Sequence, residues 1–472
     1  MKTNRLPAIA ALLLSQLPPL FAADTPKKDT AVFYCGGGLA SSVDALCQQA
    51  VSEDRVTAEN AIRELRARGE FGLRALAEAH KTIIHEHASK RVARENAAWQ
   101  RLKDALDRVS GQRDCHAAQL FWFTDFEQAK AAARAQAKPI LSLRLLGRLD
   151  EEFSCANSRF FRTTLYANAE VAKHLREHFV LHWKSVRPVP RVTIDFGDGR
   201  KLERTLTGNS IHYVLDANGE VIDAMPGLYG AKAFLSGLQR AESAAQQIGQ
   251  ATSEERPALV ADYHRTRLAA LDAELAADMQ KMSAPTNGVT IVDISKPLIT
   301  FAPPTALTAA TVAIGKGRLE RPILDRTQPR VPTDGQAGWN DEIWSKLAAL
   351  RVDESVLDAG ARKLIGEKAP SAATAGRLTA TKIAVEDPML RQIRNLQRSI
   401  SEDTVRNEYS LHRQMHAWFA NGSAPREIEA LNARVYAELF LTPDSDPWLG
   451  LLPPDTFAAL ENGGVKLTAQ KR

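Results

Sequence analysis

Lys138-Pro139-Ile140-Leu141-Ser142-Leu143, then Cys155-Ala156-Asn157-Ser158, then Val171-Ala172-Lys173-His174-Leu175 is the run that decides the fold. Pro139 closes the alanine-rich helix Phe126 to Ala137, because proline cannot donate to a helix and pushes its predecessor out of the α region. Ile140 to Leu143 reads as a short apolar strand, and Val171 to Leu175 as part of a helix. The cysteine between them falls at a helix start. Unpaired backbone N–H groups and the positive end of the helix dipole favour a thiolate there.

Reading outward, Phe179 to Trp183 is a second apolar strand. Arg191 to Arg204 alternates around Asp198-Gly199 as a hairpin, and Ile211 to Leu215 and Val221 to Ala224 flank the turn Asp216-Ala217-Asn218-Gly219. Ala231 to Ala241 closes with a helix, giving a mixed α/β order, α-β-α-β-β-β-β-β-α.

The segment Phe121 to Leu238 resembles the thioredoxin-like superfamily, nearest its thioredoxin-7 and DUF255-type branch. The resemblance rests on Trp122, Phe126 to Lys130, Lys138 to Leu141, Cys155 to Ser158, Glu170 to Lys173, His178 to Leu181, Leu215 to Val221 and Pro226-Gly227. Leu146-Gly147-Arg148 through Ser158 is also similar to an exported set from planctomycete-type bacteria. The resemblance implies an α/β thioredoxin-like central domain in which Cys155 is the nucleophile, Ser158 its hydrogen-bond partner, and Asn157 with the helix start stabilises the thiolate. Ser158 replaces the second cysteine, so an outside thiol must resolve any adduct. Such a CxxS site suits monothiol disulfide exchange, isomerisation or capture. The chain departs from the pattern in three ways. No proline stands near Asn209 or Ser210, Ser154 replaces the tryptophan before the cysteine, and Arg148 to Ser154 lengthens the loop. A second reading therefore stays open: Cys155 is an inert residue on a degenerate scaffold, with Ser154 as the helix cap.

The 472 residues are 44% hydrophobic and 25% charged, as in ordinary globular proteins. Net charge is +5, without a basic stripe or a glycine-rich phosphate loop, so neither nucleic acid nor a nucleotide cofactor is expected; no cofactor is implied. Lys2 and Arg5, the apolar run Leu6 to Leu20 and the small residues Ala22-Ala23 read as a cleaved export signal over 1–23. The expected location is periplasmic or secreted, with no membrane span after cleavage. In an oxidising compartment Cys35 and Cys47 are expected to pair across Gly36-Gly37-Gly38. Cys115 is then free, paired with Cys155, or its resolving thiol.

All-α domains are expected on both sides, over 24–112 and 336–472, with the central domain over 113–245. A long helix and a proline-rich extended segment are expected over 246–335. Val56 to His80 reads as a helical hairpin turning at Gly69 and Gly72. Glu408, His412 and His416 recur at helical spacing on one face, a candidate metal site or simply a polar packing face. His80, His85 and His87 fit no metal template and read as a solvated helix end, and Cys115-His116 reads as part of a structural disulfide or as a plain surface pair. The functions expected are thus thiol exchange with exported proteins or thiols, a non-catalytic protein-binding scaffold, or metal binding by the C-terminal helix.

Overall fold

The N-terminal helices form because each has its own start signal. Ser42 caps α1 (Val43–Gln49), Asp54 caps α2 (Arg55–Ala67), and Asn96 caps α5 (Ala97–Ser110), each accepting a backbone N–H with its side chain. Gly111, at φ 74°, ends α5 in the left-handed region. Between them lie α3 (Gly69–Ala79) and α4 (Lys81–Ser89). The expected hairpin is present, but only Gly69 makes its turn. Gly72 sits inside α3, where a Cβ would collide with the Leu65 carbonyl. Leu46, Leu65, Leu76, Trp99, Leu106 and Cys115 belong to the core of this layer.

This computed structural model describes residues 42–89, 96–206, 208–282, 341–368 and 388–449, with 451, 460 and 465. The expected export signal, Cys35 and the expected extended stretch 284–335 lie outside them.

A five-stranded mixed sheet follows. It comprises β1 (Trp122–Phe123), β2 (Ile140–Leu146), β3 (Val180–Arg187), β6 (Ser210–Leu215) and β7 (Val221–Pro226), in the order β1-β3-β2-β6-β7. β1 and β2 run parallel to β3; β6 is antiparallel to both β2 and β7. Every residue of β2, β6 and β7 is buried, as expected of a sheet covered on both faces. The hairpin of β4 (Arg191–Asp195) and β5 (Lys201–Thr205) forms where expected, but as a separate, largely exposed two-stranded ribbon.

Helices α6 (Phe126–Gln136), α7 (Ala156–Phe160), α8 (Ala169–His178) and α9 (Ala231–Gly249) accompany the sheet. The later described residues are mostly helical: α10 (Arg256–Lys281), α11 (Asp341–Leu350), α12 (Ala359–Lys368), α13 (Pro388–Arg406), α14 (Arg413–Ala420) and α15 (Ile428–Arg434). A π-helical turn, Asn407–His412, joins α13 to α14, and another, Val435–Leu439, follows α15. Met415, Trp418, Leu431, Tyr436 and Phe440 share one core with the strands. Among the described residues no helix is long and apolar enough to cross a membrane.

Candidate functional site

Cys155 stands where β2, a turn and a helix meet. Gly147, at φ 71°, turns the chain after β2, and the Cys155 N–H returns to the Leu146 carbonyl at 3.1 Å. Cys155 itself, rather than Ser154, is the N-cap of α7, its Sγ accepting the Ser158 N–H at 3.4 Å. The Ser158 hydroxyl donates instead to the Cys155 carbonyl, at 2.9 Å. Sγ has a different hydroxyl beside it: Ser210 Oγ, at 3.3 Å, on the first residue of β6. Asn157 is buried and makes no hydrogen bond to the sulfur.

The thiol is closed off. Cys155 is 0% exposed, and a Cβ on Gly208 would stand 3.1 Å from Cys155 Cβ. Asn209 is tied to the C-terminal turn by its Nδ2 donating to the Phe440 carbonyl (3.2 Å) and by Tyr436 OH donating to its own carbonyl (2.8 Å). The nearby cations are engaged elsewhere. Arg159 donates to Thr205 Oγ1 at 2.8 Å, and Arg162 to the Glu151 carbonyl at 3.1 Å.

Among the described residues the other cysteines do not complete a redox pair. Cys47 and Cys115 are buried free thiols, and Cys115 lies in the core of the N-terminal helices, apart from the core that holds Cys155. Burial pushes the Cys115 thiol up to about 12, too high for a resolving thiolate at neutral pH.

A second constellation gathers on β7. Asp223, 2% exposed, accepts the Ala224 N–H at 2.7 Å on Oδ1 and Tyr263 OH at 2.6 Å on Oδ2. His412 Nε2 lies 3.2 Å and His416 Nδ1 4.0 Å from Oδ1. The two imidazoles stack with centroids 4.1 Å apart. On α10, His264 places Nε2 3.0 Å from the Ile222 carbonyl and Nδ1 2.6 Å from His416 Nδ1. Burial lowers His264 to about 4 and holds His416 well below the ordinary imidazole value. Burial alone would raise Asp223, but the charge and hydrogen bond of His412 keep its carboxyl well below the usual range.

Glu408 does not join its expected histidine partners. It pairs with Arg351 Nη1 at 2.8 Å. Glu408 lies in the π turn Asn407–His412, and its carboxylate is taken up by Arg351 from outside that turn. His412 and His416 keep the shared face.

Two further groups also bring two histidines to one carboxylate. Glu367 Oε1 and Oε2 lie 3.1 and 3.2 Å from Nε2 of His87 and His116. Glu242 meets His178 at 2.8 Å and His174 at 3.4 Å. His80 is separate, its Nε2 lying 3.0 Å from the Cys47 carbonyl. Sequence spacing could have singled out only His174 and His178, one helical turn apart; Asp223, His264, Ser210 and Glu367 carry no local signal. In comparisons with known proteins, the chain matches no family model, no curated protein and no solved structure.

Proposed function

We propose that this chain is an exported scaffold protein built on a thioredoxin-like central domain whose cysteine is structural, not catalytic. The thioredoxin-like reading is supported by the succession of β2, turn, cysteine-capped helix and the later β6–β7 hairpin. The observation that carries the non-catalytic reading is the closure of Cys155: fully buried, beside Ser210, under a loop tied to the C-terminal turn. A disulfide of another protein needs in-line access to the sulfur, which this arrangement denies. The helical layers then serve to bind a protein or cell-envelope partner.

Iodoacetamide labelling tests it. Cys155 is expected to react slowly in the native protein and fully after denaturation. Rapid native labelling through a thiolate formed well below about 8.5, the free-cysteine value, would favour monothiol exchange, the reading supported by the Ser158 N–H at the sulfur.

A further inference from the structure

We infer that Asp223, His412 and His416, backed by His264, form a closed site for a divalent transition-metal ion of the zinc class. The ligand-capable atoms of Asp223, His412 and His416 all lie within 4.8 Å of one another in the protein interior. Bonds of ~2.0–2.1 Å in tetrahedral geometry put neighbouring ligand atoms about 3.3 Å apart. The 3.2 Å between Asp223 Oδ1 and His412 Nε2 meets that, and 4.0 Å to His416 Nδ1 needs a shift of under about 1 Å.

The surroundings are those of a metal site. Tyr263 OH and the Ala224 N–H fix the carboxylate, and the Ile222 carbonyl orients His264; such outer contacts set tautomer and ring direction for ligands. The Ile222 carbonyl can only accept, so His264 carries its proton on Nε2 and leaves Nδ1 bare, facing His416. The ion-pair partners of Asp223 among the described residues are His412 and His416, with no lysine or arginine. Only imidazoles face this buried carboxylate as ion-pair partners, and a divalent cation would add a fixed positive charge between them. The ligands come from β7, from the π turn and from α14, so the ion would clamp the C-terminal helices to the sheet. No residue is shared with the Cys155 pocket.

Metal analysis of the full chain, purified and then exposed to excess zinc and desalted, tests this. About one equivalent is expected to be retained, and lost in His412→Gln and Asp223→Asn but not in His178→Ala, which disrupts the half-buried group between α8 and α9. Chelator should lower the Tm of the unmutated chain, a readout independent of whether variants fold. Retention unchanged by His412→Gln, loss on His178→Ala instead, or no retained metal together with an unchanged Tm under chelator would each overturn the site.

Discussion

Ser210 Oγ lies 3.3 Å from Cys155 Sγ, a contact between the first residue of β6 and the cap of α7. It places a hydroxyl against the sulfur from across the sheet, while the hydroxyl three residues along the helix turns to a carbonyl.

Ser210→Ala should therefore cost stability and leave native reactivity low. A net loss of about 0.5–1.5 kcal/mol is expected for one intramolecular hydrogen bond, read as a shifted urea midpoint. Fast iodoacetamide labelling of this variant would show that the hydroxyl, not burial, restrains the thiol.

Tyr436→Phe removes the hydroxyl that donates to the Asn209 carbonyl. Destabilisation of about 0.5–1.5 kcal/mol is expected. Because the same bond anchors the C-terminal turn over the loop before β6, Cys155 should also label faster in the native protein. An unchanged rate would mean that the turn does not limit access.

Arg144 is 1% exposed on the central strand and reaches Glu429 of α15 at 3.0 Å, with Nη1 donating to Ser142 Oγ at 2.6 Å. Glu429 is half-exposed and shared with Lys184, so solvent screens the pair. Glu429→Gln should cost about 1–2 kcal/mol, less than the loss of a fully buried charge partner. Lys184→Ala, on the solvent side, should change denaturant stability by under about 1 kcal/mol.

Stability should fall on mild acidification. Burial lowers both His182 and His212 to about 3, against about 6.5 unfolded. Arg144 and Lys184 act on His182 in the same direction. The unfolded chain therefore binds these two protons first. Their contribution is complete above about pH 6.5 and is lost as pH falls toward about 3. The pair contributes a slope of up to about 2.7 kcal/mol per pH unit within that window. Urea midpoints measured between pH 7 and pH 4 should drop, and His212→Gln should flatten the slope.

Much of the fold was legible because its signals are local. Pro139 after Ala137, the apolar run into β2, and Gly219 at φ 93° in the β6–β7 turn each act within a few residues. The same holds for Cys155 as the start of a helix and for His412 with His416 on one face. Local pattern missed β1, which is two residues long, and the pairing of Glu408 in the π turn with Arg351, which stands 57 positions away in the sequence.

The sequence by itself determined where most strands, turns and helices lie, and that a cysteine stands at a helix start after an apolar strand. Only the tertiary structure decided what that cysteine and those histidines face. Ser210 reaches Cys155, and Asp223 and His264 reach His412 and His416, across separations that strand order and helix docking close. Helical and strand periodicity orient a side chain within its own element; which distant side chain it meets depends on how the layers pack.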